Sequence, residues 1–269
     1  MTGDLDTPLL LARETIEGFR KDGFVRIAGA LSPEMVAAYG RSITNATLRL
    51  NTDHRPLAER STYDRAFLQV MNLWRADDAA RRLVFSQRLA RLAASLLEVR
   101  SVRLYHDQSL YKEPGGGITP AHADQYYWPL ASDRTVTAWI PLQDVPAHMG
   151  PLAFYRGSQG EAFGRNLPIS DESEAAITRA MEAHGFVIDA QPYALGDVSF
   201  HGGWTFHRAG ANESETPRSV MTIIYMDAEM RVAEPINTMQ RNDLAQWLPG
   251  LSPGDMAASP INPILFDAG

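Results

Sequence analysis

The chain has 269 residues, 45% of them hydrophobic, a length that supports one sizeable core, so a single domain spanning 1–269 is expected. It carries 32 acidic against 25 basic residues, a formal charge of −7 with no Lys/Arg-rich run, which argues against a groove for nucleic acid. It has no cysteine, which excludes disulfides, thiolate nucleophiles, iron–sulfur clusters and Cys-ligated zinc, so any metal must sit on nitrogen and oxygen.

The opening MTGDLDTPLLLARET places acidic residues before a very short apolar run, unlike a signal peptide. No later segment approaches the ~20 apolar residues of a membrane span, so no membrane partner and a cytoplasmic location are expected. Pro8 to Lys21 places Leu10, Ile16 and Phe19 at helical spacing, and DGFVRI then turns extended. Ser32, Pro33 and Glu34 read as a cap, a first helical position and a first turn, which predicts a helix over 33–50. The polar stretch 51–65 reads as a surface loop long enough to serve as a lid. One helix is predicted over 77–97, its arginines forming a solvated face. The helical part of the domain thus covers about 8–99.

From about residue 100 the period changes to two. In VRLYHDQSLYKEP one parity carries Leu104, His106, Gln108, Leu110 and Lys112, and the other Tyr105, Asp107, Ser109 and Tyr111. His106 and Asp107 therefore face opposite sides and do not chelate one metal. A core or hydrogen-bonding role fits His106, and Gln108 lies on an inward face. In ITPAHADQYYWP, read as a strand, His122 and Asp124 emerge on one face. An imidazole nitrogen and a carboxylate oxygen so placed make two thirds of the facial triad that holds non-haem Fe(II). TVTAWIPL and then Pro151 to Tyr155 continue the strands, and a charged insertion over 160–185 is helical from about Glu172 to His184, where His184 suits the helix C-terminus. FVIDA, GDVSF, WTFHRAG and RSVMTIIYM follow. Short strands separated by Gly and Pro turns, without alternating helices, predict an antiparallel barrel or double sheet over about 100–228. The proline-rich residues 229–269 are expected to wrap the domain as irregular structure. Two histidines, His201 and His207, compete for the third ligand position, and parity cannot separate them because Gly202 and Gly203 interrupt the strand.

The ordered set of His122 and Asp124, Trp139, GPLAFYRGSQ (Gly150 to Gln159), Gly196 and Asp197, His207, Asn212 and Arg218 resembles the phytanoyl-CoA dioxygenase family of Fe(II)/2-oxoglutarate oxygenases, over roughly residues 100 to 226. The resemblance implies a mainly β fold with flanking helices around a double-stranded β-helix, a cupin-like jelly roll. It selects His207 as third ligand, leaving His201 as a core residue or one that orients a ligand. It implies Fe(II), 2-oxoglutarate and O2 as the cofactors, with His122, Asp124 and His207 as the catalytic metal ligands. Arg218 then has a chemical task, since a planar guanidinium donates two parallel hydrogen bonds to the distal carboxylate of 2-oxoglutarate. Arg208 flanks His207 and should point the opposite way. Trp139 matches the family tryptophan beside the cosubstrate, and Gln108 is placed to contact cosubstrate or substrate. Tyr126, Tyr127, Trp128 and Trp204 are candidates for the wall of a small-molecule pocket, a role that core packing rivals.

The implied activity is oxidation, most simply hydroxylation, of a C–H bond of a small organic molecule, with release of succinate and CO2. Asp124 argues against halogenation, since halogenating relatives carry a small residue in its place. No basic cluster is present to receive the phosphates of a CoA ester. The rival readings are a Zn²⁺ hydrolase, which would need a carboxylate base such as Asp197 and no Arg218, and a non-catalytic jelly-roll metal- or ligand-binding protein.

Overall fold

The computed structural model describes residues 3–269. In chain order it comprises α1 (Gly3–Asp6), α2 (Arg13–Asp22), β1 (Phe24–Ile27), α3 (Pro33–Leu50), α4 (Thr62–Ala66), β2 (Leu68–Met71), α5 (Asp78–Val84), α6 (Gln87–Leu97), β3 (Ser101–Lys112), β4 (Thr119–His122), β5 (Thr135–Pro141), β6 (Leu152–Tyr155), α7 (Asp171–Ala183), β7 (Ile188–Asp189), β8 (Val198–Gly202), β9 (His207–Ala209), β10 (Arg218–Asp227), α8 (Thr238–Trp247) and β11 (Ile264–Asp267).

Two antiparallel sheets form a jelly roll. The larger runs β1-β8-β5-β10-β3-β11, with β2 also on β3, and the smaller runs β4-β9-β6-β7. Strand alternation sorts the faces of the larger sheet. Val136, Ala138, Ile140, Val198, Phe200, Met221 and Ile223 point to the helices and pack with Met35, Val36, Ile43, Leu83, Leu89 and Leu92. The opposite parity, Thr137, Trp139, His201, Arg218 and Thr222, faces a cavity closed by the smaller sheet. Burying one apolar side chain of this kind stabilises the fold by about 1.5–3 kcal/mol, so the helical layer fixes the larger sheet on which half the cavity is built.

Several expectations are corrected by local chemistry. The helix expected over 8–21 starts only at Arg13, as α2, and Gly23 ends it in a left-handed conformation, with φ 80°. The helix expected over 77–97 is two helices: Ser86 interrupts it because its hydroxyl accepts from Leu89 N–H and caps α6. The polar stretch 51–65 contains the start of α4, capped by Ser61 on Asp64 N–H. In β3 the pairing with β10 shifts between Ile224 and Tyr225, which leaves Tyr105 as an inserted residue. Leu104 consequently packs with the helix-side core rather than sharing a face with His106. The C-terminal wrap is not irregular: it holds α8, capped by the Asn237 side chain on Gln240 N–H, and β11, which pairs with β3. Among the described residues no helix is long and apolar enough to cross a membrane.

Candidate active site

The strand through His122 ends there, so Asp124 opens a short 3-10 turn instead of continuing β4. Ala123 between them stays extended, at φ −122° and ψ 131°, and this keeps the imidazole and carboxylate on one side. Across the smaller sheet His122 pairs directly with His207. The candidate ligand atoms of His122, Asp124 and His207 all lie within 4.8 Å of one another. His122 Nε2 is 3.4 Å and His207 Nε2 3.6 Å from Asp124 Oδ1. Each ring is turned by its other nitrogen: His122 Nδ1–H donates to Pro120 O at 2.7 Å, and His207 Nδ1–H to Thr205 O at 3.0 Å. Those bonds fix the tautomer that presents a bare Nε2 to the centre, as a metal ligand requires.

His201 does not join the set. Its Nε2 is 3.2 Å from Asp124 Oδ2, which also accepts from the Thr137 hydroxyl at 3.2 Å. A carboxylate only accepts, so His201 Nε2 carries the proton and steers Oδ2, leaving Oδ1 toward the other two histidines. Burial pushes the Asp124 carboxyl up, but the surrounding imidazoles, His207 foremost, outweigh it and hold the group well below the usual carboxylate range. Burial, reinforced by His122, drives His207 well below the ordinary imidazole value, against the opposing pull of Asp124.

Arg218 begins β10 and is 2% exposed. One Nη donates to Gly150 O, and Nε is buried without a partner. No carboxylate among the described residues pairs with it, and burial lowers it to about 10. The approach depends on Gly150: at φ 68° an added Cβ would lie 2.3 Å from Gly210 O. A buried guanidinium facing a cavity with an orphaned N–H fits an anionic guest. Trp139 lies beneath the guanidinium, 5.6 Å from Cζ to ring centroid. Beside Arg218, buried Lys112 donates to Gly117 O at 2.6 Å and Gly210 O at 2.7 Å, tying two loops, and burial and then Arg218 depress it to about 6. Arg208 points away and pairs with Glu174 at 2.6 Å.

These groups share one cavity of about 400 Å³. Gln108, Tyr127 and Trp128 line it; Tyr126 and Trp204 do not. The Tyr126 ring packs edge-on against Tyr127 while its carbonyl accepts from Gln240, and Trp204 stacks under Arg165. His106 is in the wall, with Nδ1 unpartnered, and burial lowers it to about 3. Asp197 is spent on a turn, accepting from Gly29 N–H and Ala194 N–H, so it offers no base at the cavity. Sequence reasoning missed Tyr63 and Phe67 around α4 and Asp243 and Trp247 on α8, all in the cavity wall. The signal for α8 was present in Asn237 with Gln240 three residues later, an N-cap pattern hidden among prolines.

Residues 19–220 match the family model described as phytanoyl-CoA dioxygenase. The phytanoyl-CoA dioxygenase domain-containing protein 1 of Danio rerio is 23% identical, over 87% of this chain and 96% of its own. The ectoine dioxygenase of Streptomyces anulatus is 24% identical over 84% and 81%. Among solved structures, the non-heme alpha-ketoglutarate-dependent carbocyclase SnoK from nogalamycin biosynthesis is 26% identical and superposes with a TM-score of 0.78, over 96% of this chain and 99% of that one. The epimerase SnoN in complex with Fe3+, alpha-ketoglutarate and nogalamycin RO is 27% identical, with a TM-score of 0.76 over 94% and 98%.

Proposed function

The chain belongs to the phytanoyl-CoA dioxygenase family of Fe(II)/2-oxoglutarate-dependent oxygenases, and on that premise we propose that it oxidises a C–H bond of a small organic molecule, most simply by hydroxylation. The observation that carries this reading is the pairing in one cavity of a His122, Asp124 and His207 cluster with the unpaired guanidinium of Arg218. His122, Asp124 and His207 would hold the iron. Arg218 would take the distal carboxylate of 2-oxoglutarate, with Trp139 beneath it and Gln108 nearby. When bound, Fe(II) with 2-oxoglutarate and O2 supplies the oxidant, and the cosubstrate leaves as succinate and CO2.

The chain's own residues do the rest. The Pro120 and Thr205 carbonyls hold both imidazoles in the ligating tautomer, and His201 and Thr137 hold Asp124 by its second oxygen. Aromatic walls at Trp128, Tyr127 and Trp247 keep water out and position the substrate C–H bond. A second outcome, ring closure or epimerisation through the same C–H activation, is supported by the likeness to the carbocyclase and the epimerase. A zinc hydrolase is disfavoured, because Asp197, the base that reading called for, is spent on a turn and Arg218 would have no task.

The test is anaerobic addition of 2-oxoglutarate to the Fe(II)-loaded protein. A visible charge-transfer band, followed by slow succinate release on admitting O2, is the expected result. Absence of the band in a folded, iron-loaded protein overturns the reading. Product analysis with the true substrate then separates a product gaining one oxygen from one that loses two hydrogens or inverts a centre.

A further inference from the structure

The end of the cavity away from Arg218, by the far end of β3, is built from α8 and the turn that follows His122. Helix α8 lies across it and is fastened to the metal turn, since Gln240 Nε2 donates to Tyr126 O at 3.1 Å and Asn237 Nδ2 to the same oxygen at 3.4 Å. The helix thereby turns Asp243 and, one turn on, Trp247 into the cavity, where Trp128 faces them from the metal turn. The Asp243 carboxylate is half-buried, and the Tyr105 hydroxyl donates to Oδ2 at 2.9 Å. No cation among the described residues lies within ion-pair distance of it, and the histidine in the same wall, His106, is neutral. Tyr63, Asp124 and Asp243 line the same cavity, so the two carboxylates look into one chamber.

The charges of the loaded site sharpen the point, and here the inference rests on the oxygenase reading. Fe(II) balances the two charges of 2-oxoglutarate, and Arg218 balances Asp124. Asp243 is left over. A half-buried carboxylate with no counter-ion is costly, and burial accordingly raises it to about 7, partly offset by the Tyr105 hydroxyl. A guest that supplies the missing charge relieves that cost, whereas an anionic guest would compound it. The indoles of Trp128 and Trp247 in the same wall add the attraction of π systems for an ammonium or alkylammonium group.

From this we infer that the substrate carries a protonated or quaternary amine, seated on Asp243 between Trp128 and Trp247, which holds the rest of the molecule toward the triad. Anionic substrates, CoA esters included, are disfavoured at this end.

The test uses an isosteric pair, choline and the neutral 3,3-dimethylbutan-1-ol, titrated at pH 8 into the Fe(II)- and 2-oxoglutarate-loaded protein under argon, followed by tryptophan fluorescence. Choline is expected to bind about tenfold tighter than the alcohol. Asp243→Asn, which keeps the shape and an acceptor for Tyr105, should equalise the two probes, and Asp243→Glu should retain most of the preference. Equal or tighter binding of the alcohol by the wild type, no binding of either probe, or a preference that survives in Asp243→Asn overturns the inference. The charge-transfer band recorded on the same samples separates the two readings. A missing band with the choline preference intact removes the oxygenase reading and leaves the amine site standing. A normal band without the preference does the reverse.

Discussion

Replacing Arg218 with Met is the perturbation with the most calculable outcome. In the free protein the guanidinium is 2% exposed and makes its hydrogen bond to a neutral carbonyl, with Nε unpaired. Met fills similar volume without a buried charge, so the free variant should be at least as stable as the wild type. The loss falls on the ligand complex. Two parallel charge-assisted hydrogen bonds to a carboxylate are worth about 3 kcal/mol, or roughly a hundredfold in Kd. At a 2-oxoglutarate concentration of about one hundred times the wild-type Kd, the wild type gains about 2.7 kcal/mol and the variant only about 0.4 kcal/mol. For a domain of this size that corresponds to a rise in Tm of roughly 5–10 °C against about 1 °C. The assay is thermal melting of Fe(II)-loaded protein under argon, with and without 2-oxoglutarate, beside an anaerobic titration of the charge-transfer band. Arg218→Lys should recover only part of the affinity, because an ammonium cannot match a planar two-point contact. A folded Arg218→Met variant with undiminished 2-oxoglutarate affinity would refute the reasoning and move the clamp elsewhere.

Iron stoichiometry should fall from one per chain to near zero in His122→Ala and His207→Ala; wild-type iron content in both, measured by metal analysis, would sink the ligand set. His201→Phe should keep the stoichiometry but weaken Fe(II) affinity by about 10–100-fold, since it frees Asp124 Oδ2, and competition with a chelator measures it. Asp107 gives the pH prediction. Its carboxylate accepts from Leu73 N–H at 2.9 Å behind the sheet, and burial raises it from 3.8 to about 7 despite the backbone donors. Between those values the folded chain holds a proton that the unfolded chain has lost, so this group's contribution to stability falls as pH rises from about 4 to 7. Asp107→Asn should flatten that part of the profile in denaturant midpoints, and an unchanged slope would show that Asp107 is ionised in the fold. Gly150→Ala should displace the Gly210 backbone and weaken 2-oxoglutarate binding more than iron binding, which the same titrations read out.

In β5 the alternation was legible, with Thr135, Thr137 and Trp139 sharing a face, because a regular strand keeps a strict period of two; β8 and β10, buried on both faces, read only as apolar runs. Where the chain departs from that condition the reading slipped. The inserted Tyr105 in β3 reversed the parity of Leu104, and nothing local announces a bulge, since it is set by pairing with β10. The break between α5 and α6 is a single serine whose cap competes with helix continuation. Helix α8 was hidden by flanking prolines and by a buried stripe of only two residues, Gln240 and Trp247.

The sequence by itself determined the chemical inventory: nitrogen and oxygen ligands without cysteine, one histidine and one carboxylate two positions apart, and an arginine at the head of an apolar strand. These follow from residue type and spacing, which need no partner. Only the tertiary structure decided which histidine faces His122. His201 and His207 lie on strands of different sheets, and pairing across β4 and β9, a contact between segments eighty-five residues apart, puts His207 opposite His122 and His201 behind Asp124. It likewise decided that α8 closes the cavity and brings Asp243 into it, because the position of a helix relative to a distant turn is set by packing and by the Gln240 and Asn237 hydrogen bonds, not by any property of its own ten residues.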